Sequence, residues 1–118
     1  MRQVISSGSV KAFFLNREEI LKRLLAISKD SSRMFPEIQE VRLIGSIARG
    51  ENTGLSDVDI FILVDNAHDN PIERIKPYFN FFSDKIDISI DILVATKEEA
   101  ESSRALLQES LLLYSRYS

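Results

Sequence analysis

The chain has 118 residues, a formal net charge of -3 and no cysteine. That length fits a single domain spanning residues 1–118, able to bury roughly two thirds of the surface its unfolded chain exposes. Disulfides and thiolate metal sites are excluded, no run approaches the ~20 apolar residues of a membrane span, and the acidic balance offers no broad attraction for a long nucleic acid. The N-terminus shows no basic region followed by a long apolar run, so the expected compartment is the cytoplasm.

The opening fifteen residues, with Val10, Phe13 and Phe14, carry no decided pattern. Asn16 with Glu19 three residues later is a capping-box pattern for a helix that carries Ile20, Leu21, Leu24 and Leu25 and extends toward Met34. Pro36 stops it, and an apolar strand follows over 40–45. Gly45-Ser46 then lets backbone and hydroxyl approach an anion closely, and Ile47 to Arg49 can form a helical turn whose N-terminus favours phosphate. Ten residues after Ser46 comes Ser56-Asp57-Val58-Asp59, at the start of a second strand over 58–65. Strand alternation points Asp57 and Asp59 the same way, roughly 7 Å apart, where two like charges repel unless something positive sits between them. Mg²⁺ is the natural occupant, since it takes oxygen ligands from one or two carboxylates with the rest from water and substrate phosphates.

After the second strand, the loop N-A-H-D-N-P holds His68, the only histidine, which reads as an exposed loop residue rather than a catalytic base. A helix follows with Ile72, Ile75, Phe79 and Phe82 at helical spacing, and Phe81-Phe82 reads as core. In the third strand, 86–94, Ile86, Ile88, Ile90 and Ile92 share one face, with Asp87, Ser89 and Asp91 on the other. A two-metal site needs a carboxylate from another strand to clamp both ions, and Asp87 and Asp91 compete for that position. Asp91 is preferred because strand and then helix continue after it. A last helix is expected over 97–114, presenting Ala100, Leu106, Leu107, Leu111 and Tyr114. Leu112 and Leu113 on its far side read either as core or as a partner surface.

G-S-I-A-R-G followed by S-D-V-D resembles the signature of the DNA polymerase beta-type nucleotidyltransferase superfamily in its smallest form, the minimal nucleotidyltransferases (MNT). The lead-in M-F-P-E-I-Q-E-V-R-L-I, the later I-D-I-L-V-A-T-K-E-E-A and the tail L-L-Q-E-S-L-L-L-Y-S are similar to the family's first strand, third-carboxylate strand and final helix. The resemblance thus covers nearly the whole chain, and Asp91 falls on the third acidic position, with Asp87 as the alternative.

The resemblance implies the small nucleotidyltransferase fold: α/β (α+β), a central mixed sheet of three or more strands flanked by helices. It implies Mg²⁺-dependent transfer of AMP from ATP to a hydroxyl, with pyrophosphate released and two ions at the site. Gly45 and Ser46 would hold the triphosphate, Asp57 and Asp59 would bind Mg²⁺, and Asp91 would complete the metal site and help activate the nucleophile. Arg49 and Ser56 match the nucleotide-binding motif, with Arg49 on phosphate, whereas Ile47 stands where polar or basic residues are common in the family. Small members resembling this chain commonly act as antitoxins with a separately encoded helical HEPN protein, and some adenylylate a tyrosine of that partner. A homo-oligomer is the other association considered. Two further readings stand beside the enzyme: an antitoxin that neutralises its partner by contact alone, and transfer to a small molecule such as an aminoglycoside antibiotic.

Overall fold

The computed structural model describes residues 17–50 and 57–117. Asn16 of the expected capping box, the ambiguous opening segment and Ser56 lie outside the described residues. Helix α1 runs Arg17–Met34, with Glu18 and Glu19 in its first turn and Arg33 in its last, which complements the helix dipole at both ends. Its inward stripe is Ile20, Leu24, Ile27, Ser28 and Ser31. Leu25, placed with the apolar stripe in the sequence, is instead 48% exposed. Pro36 follows the last turn, and the chain enters β1, Ile38–Ile44.

The short helix α2, Gly45–Ala48, closes the end of β1, and β2 runs Val58–Val64. Asn70 caps helix α3, Pro71–Lys85, by accepting from the backbone N–H groups of Ile72 and Glu73, with Pro71 at the first helical position. Strand β3, Ile90–Thr96, follows. The strand expected from Ile86 begins four residues later, because α3 carries the chain as far as Lys85 and the partner strand β2 starts only at Val58, opposite Ile90. Ile86 is buried all the same, packing into the core from the connection.

The expected C-terminal helix is replaced by three short helical turns and a strand. Helix α4, Lys97–Ala100, has a full capping box between Thr96 and Glu99. A 3-10 turn, Glu101–Ser103, leads to α5, Arg104–Leu107. Residues Leu111–Ser115 then form β4 on the free edge of β1. Leucine favours helix locally, but an unpaired row of backbone groups on β1 is a stronger demand than propensity. Ser110 marks the switch, its N–H and hydroxyl both donating to Leu107 O.

The sheet order is β3-β2-β1-β4. β1 is antiparallel to both β2 and β4, while β2 and β3 are parallel, joined by a crossover through α3. One face carries the rows Ile92–Ile60–Leu43 and Val94–Ile62–Val41 and is covered by α1 and α3 through Leu24, Ile27, Tyr78 and Phe82. The opposite face is thinner, with Ile44, Phe61 and Ala95 packed against Leu63, Ala100 and Leu107. Leu112 on that face is 45% exposed, whereas Leu113 is buried with the main core, so the two leucines expected to share a surface part company across β4.

Two polar features tie the frame. Arg116 donates to both carboxylate oxygens of Asp65 and to Pro36 O, and Gln39 donates to Asp65 as well. Hydrogen bonds from Arg116 first, then Gln39, hold the Asp65 carboxyl below the usual range. Because the folded-state pKa is depressed, its contribution is present above the unfolded value and lost as pH falls through the folded one. Asp65→Asn should therefore flatten the acid limb of the stability profile while changing its sensitivity above neutrality little, as read by urea unfolding from about pH 3 to about pH 9. The second feature is Ser28, fully buried, whose hydroxyl is the one buried side-chain polar atom without a hydrogen-bond partner among the described residues. Ser28→Ala removes that group and should raise the unfolding free energy by about 1 kcal/mol; a decrease would mean the hydroxyl is satisfied in solution.

Candidate active site

The apolar face fixes where the acids go. With Val58, Ile60 and Ile62 locked into the core, Asp59 must point to the opposite face, along with Phe61 and Leu63. In the parallel register Asp59 lies directly opposite Asp91, and in the antiparallel one it lies opposite Ile44. Neighbouring strands are about 4.8 Å apart, so the two carboxylates stand side by side. Asp57 precedes β2 by one residue and is exposed at the mouth. Asp87, the other contender for the third acid, lies in the exposed connection after α3 and outside β3.

Electrostatics says the same thing independently. The Asp59 carboxyl is pushed above its usual range, first by burial, then by Asp91, then by Asp57, with Arg49 pulling the other way. Asp87 is not among the charges acting on it. Between Asp59 and Asp91 opens a cleft of about 430 Å³ lined by Ile44, Asp59, Ile60, Asp91, Ile92 and Leu93.

The Gly45–Ser46 turn forms the neighbouring wall. Gly45 has φ +82°, the left-handed region that suits glycine, and a Cβ built on it would run into the Asp59 carboxylate. Glycine here serves two needs at once, the backbone turn and the close approach of Asp59. Ile44 at the helix N-cap has no side-chain acceptor for the first amides of α2. Arg49, just past α2, pairs with Glu109 at 3.8 Å, linking the turn to the segment before β4.

His68 does not belong to this constellation. It sits beyond the far end of β2, about 20 Å along a seven-residue strand from Asp59, and its Nδ1 accepts from Asn70 N–H. One residue absent from the sequence expectations does touch the turn: Arg17 donates from Nε to Ile47 O at 2.8 Å and from a terminal nitrogen to Ala48 O at 3.1 Å. Nothing local signals it, since the pair is separated by some thirty positions and an arginine opening a helix reads as solvated.

Among the described residues no three His, Cys, Asp or Glu side chains converge as a ready-made ion cage. The donor set nevertheless suits a hard divalent cation: all the candidate ligands are carboxylate oxygens, and the repulsion raising Asp59 is the kind a cation relieves.

Gly45 and Gly50 permit an internally controlled test. Both have positive φ, but a Cβ at Gly50 meets nothing within 4 Å among the described residues. Gly50→Ala should cost only the backbone strain, about 1–2 kcal/mol in urea unfolding, and Gly45→Ala distinctly more, because Asp59 must also move. Equal losses would show that Asp59 yields freely.

Comparison with known proteins shows the fold to be shared. Among solved structures, a Sulfolobus solfataricus protein described as a nucleotidyltransferase superposes with TM-score 0.67 at 23% identity, over 93% of this chain and 90% of that one. The MNT antitoxin of Shewanella oneidensis, solved with its tri-AMPylated HEPN toxin, gives TM-score 0.54 at 18% identity, over 86% and 75%. A toxin–antitoxin structure named MntA–HpeT gives 0.53 at 24%, over 86% and 73%. These likenesses show a shared fold. A comparison with curated protein sequences finds no match. The family model for the nucleotidyltransferase domain matches residues 18–116, which takes in both strands that bear the acids and the glycine turn between β1 and β2, and the chain belongs to that family of nucleotidyltransferases.

Proposed function

We propose that this chain transfers AMP from ATP to a tyrosine hydroxyl of a HEPN-type helical partner and acts in that way as an antitoxin. The observation that carries the reading is the side-by-side placement of Asp59 and Asp91 beside the Gly45–Ser46 turn, in a domain of the nucleotidyltransferase family. The protein partner is supported by the fold shared with the MNT antitoxin seen with an AMPylated HEPN toxin.

In this reading Asp57, Asp59 and Asp91 hold two Mg²⁺ ions, which when bound would neutralise charge on the phosphates and on the attacking and leaving oxygens. Gly45 and Ser46, with the first amides of α2, receive triphosphate oxygens, and Arg49 supplies positive charge at the same wall. Ser56 would complete the nucleotide-binding set. The tyrosine oxygen attacks the α-phosphorus, the bond to the bridging oxygen breaks, and pyrophosphate leaves. In this reading Asp91, which is exposed on the edge strand β3, takes the tyrosine proton. Little covalent chemistry falls to the protein, whose part is position and charge.

The test is calorimetric titration of the full chain with Mg²⁺ and a non-hydrolysable ATP analogue, paired with radiolabelled AMP transfer to a HEPN partner. Asp57→Asn/Asp59→Asn should lose metal-dependent binding and reduce transfer at least about a hundredfold. The Asp59 change should also leave the fold at least as stable at pH 7. A carboxyl whose folded-state pKa is raised costs stability once pH exceeds its unfolded value, and asparagine removes that cost. Neutralisation of the partner by the double variant would favour action by contact alone. Transfer at the native rate would remove Asp57 and Asp59 from the mechanism.

A further inference from the structure

We infer that Arg17 is a positioning residue for the nucleotide-binding turn, holding α2 in register with Asp59 from the first residue of α1. The inference rests on the nucleotidyl-transfer reading for its functional consequence and on geometry alone for the positioning.

A helix of four residues cannot hold itself. Nucleation is costly, and α2 has little beyond the bonds from Arg49 N–H to Gly45 O and from Gly50 N–H to Ile47 O to close it. Among the described residues, Ile47 O has one backbone donor of its own, Gly50 N–H, at the end of the turn. Arg17 reaches two carbonyls at once, Ile47 O and Ala48 O, from a part-buried guanidinium thirty residues earlier in the chain. The planar fork suits adjacent carbonyls, charge assistance makes each bond stronger than a neutral one, and a cation at a helix C-terminus is favoured. The side chains of Ile47 and Ala48 are buried in the main core, and Arg17 adds a polar tie to the carbonyls of the same two residues. Because Gly45 abuts the Asp59 carboxylate, a turn that rocks about its C-terminal end shifts the wall of the cleft directly.

Arg17→Met keeps the aliphatic stem and removes the fork, and Arg17→Lys restores one donor of the two. Hydrogen exchange at the Arg49 and Gly50 amides reports the turn, and exchange at Leu24 and Ile27 reports α1. Calorimetry with Mg²⁺ and the non-hydrolysable ATP analogue reports binding. In Arg17→Met, exchange at Arg49 and Gly50 should quicken by about tenfold or more and the analogue should bind about tenfold more weakly, with α1 protection unchanged. Arg17→Lys should recover part of both. Arg33→Ala, at the exposed end of the same helix, should alter neither. Native exchange at Arg49 and Gly50 in Arg17→Met overturns the positioning role, and quickened exchange with native affinity overturns its consequence for nucleotide. If the unaltered chain binds no analogue, the nucleotide reading fails, while the exchange measurement still decides whether Arg17 holds the turn.

Discussion

The parallel pairing of β2 with β3 is the constraint on which the rest depends. It is the pairing that sets Asp59 against Asp91, and the apolar rows behind it make the register hard to change. A slip of one residue would drive Asp59 into the face now filled by Ile60, Ile62, Ile92 and Val94. Core packing therefore does more than stabilise the sheet: it compels two carboxylates to share one site despite their repulsion. Parallel neighbours require a long connection, so α3 follows from the same pairing, and its inner side chains Tyr78 and Phe82 close the face that enforces it.

The antiparallel neighbour supplies the other half. β1 ends beside the start of β2, so the glycine turn after Ile44 is delivered to the carboxylates without any long loop. Three chain segments distant in sequence thus meet at one end of the sheet: the end of β1, the start of β2 and the start of β3. The thin packing on the opposite face matters here. Ala100 of α4 and Leu107 of α5 pack with Leu63 onto the cluster of Ile44, Phe61 and Ala95, while Ile44, paired with Asp59 at the acid end, also lines the cleft left open there.

Much of this was legible because the acidic end is written in short-range pattern. Alternation in V-D-I-F-I-L-V and I-D-I-L-V places each aspartate opposite to its isoleucines whatever the tertiary structure, and a glycine followed by serine after an apolar strand marks a turn with little else competing. Alternation could not say where a strand stops having a partner, so Ile86 to Ser89 reads as strand although the ladder with β2 begins only at Ile90, with Val58 N–H reaching back to Ser89 O. Leu111 to Ser115 failed in the opposite sense. Its leucines fit a helix as readily as a strand, and only the unpaired edge of β1, about seventy residues back, decides between them. Arg17 was invisible for the same reason as β4: its partners are set by the fold and leave no local trace.

The charge at the site also narrows what it can receive. Arg49 offsets the acids, but it is itself drawn to Glu109, so its positive charge is divided between the cleft and the segment before β4. The remaining balance near Asp59 is negative, and the charges of Asp91 and Asp57 add to burial, the larger cause, in raising its carboxyl above the usual range. A bare polyphosphate approaching that end of the sheet would meet like charge from Asp57, Asp59 and Asp91 before it reached the amides of the glycine turn. A polyphosphate that arrives with a divalent cation reverses the sign of the encounter, because the same three carboxylates that repel the anion attract the ion it carries. The acids and the turn are therefore not two independent sites. In the proposed reading each is unfavourable for its ligand alone, and the arrangement would favour the pair.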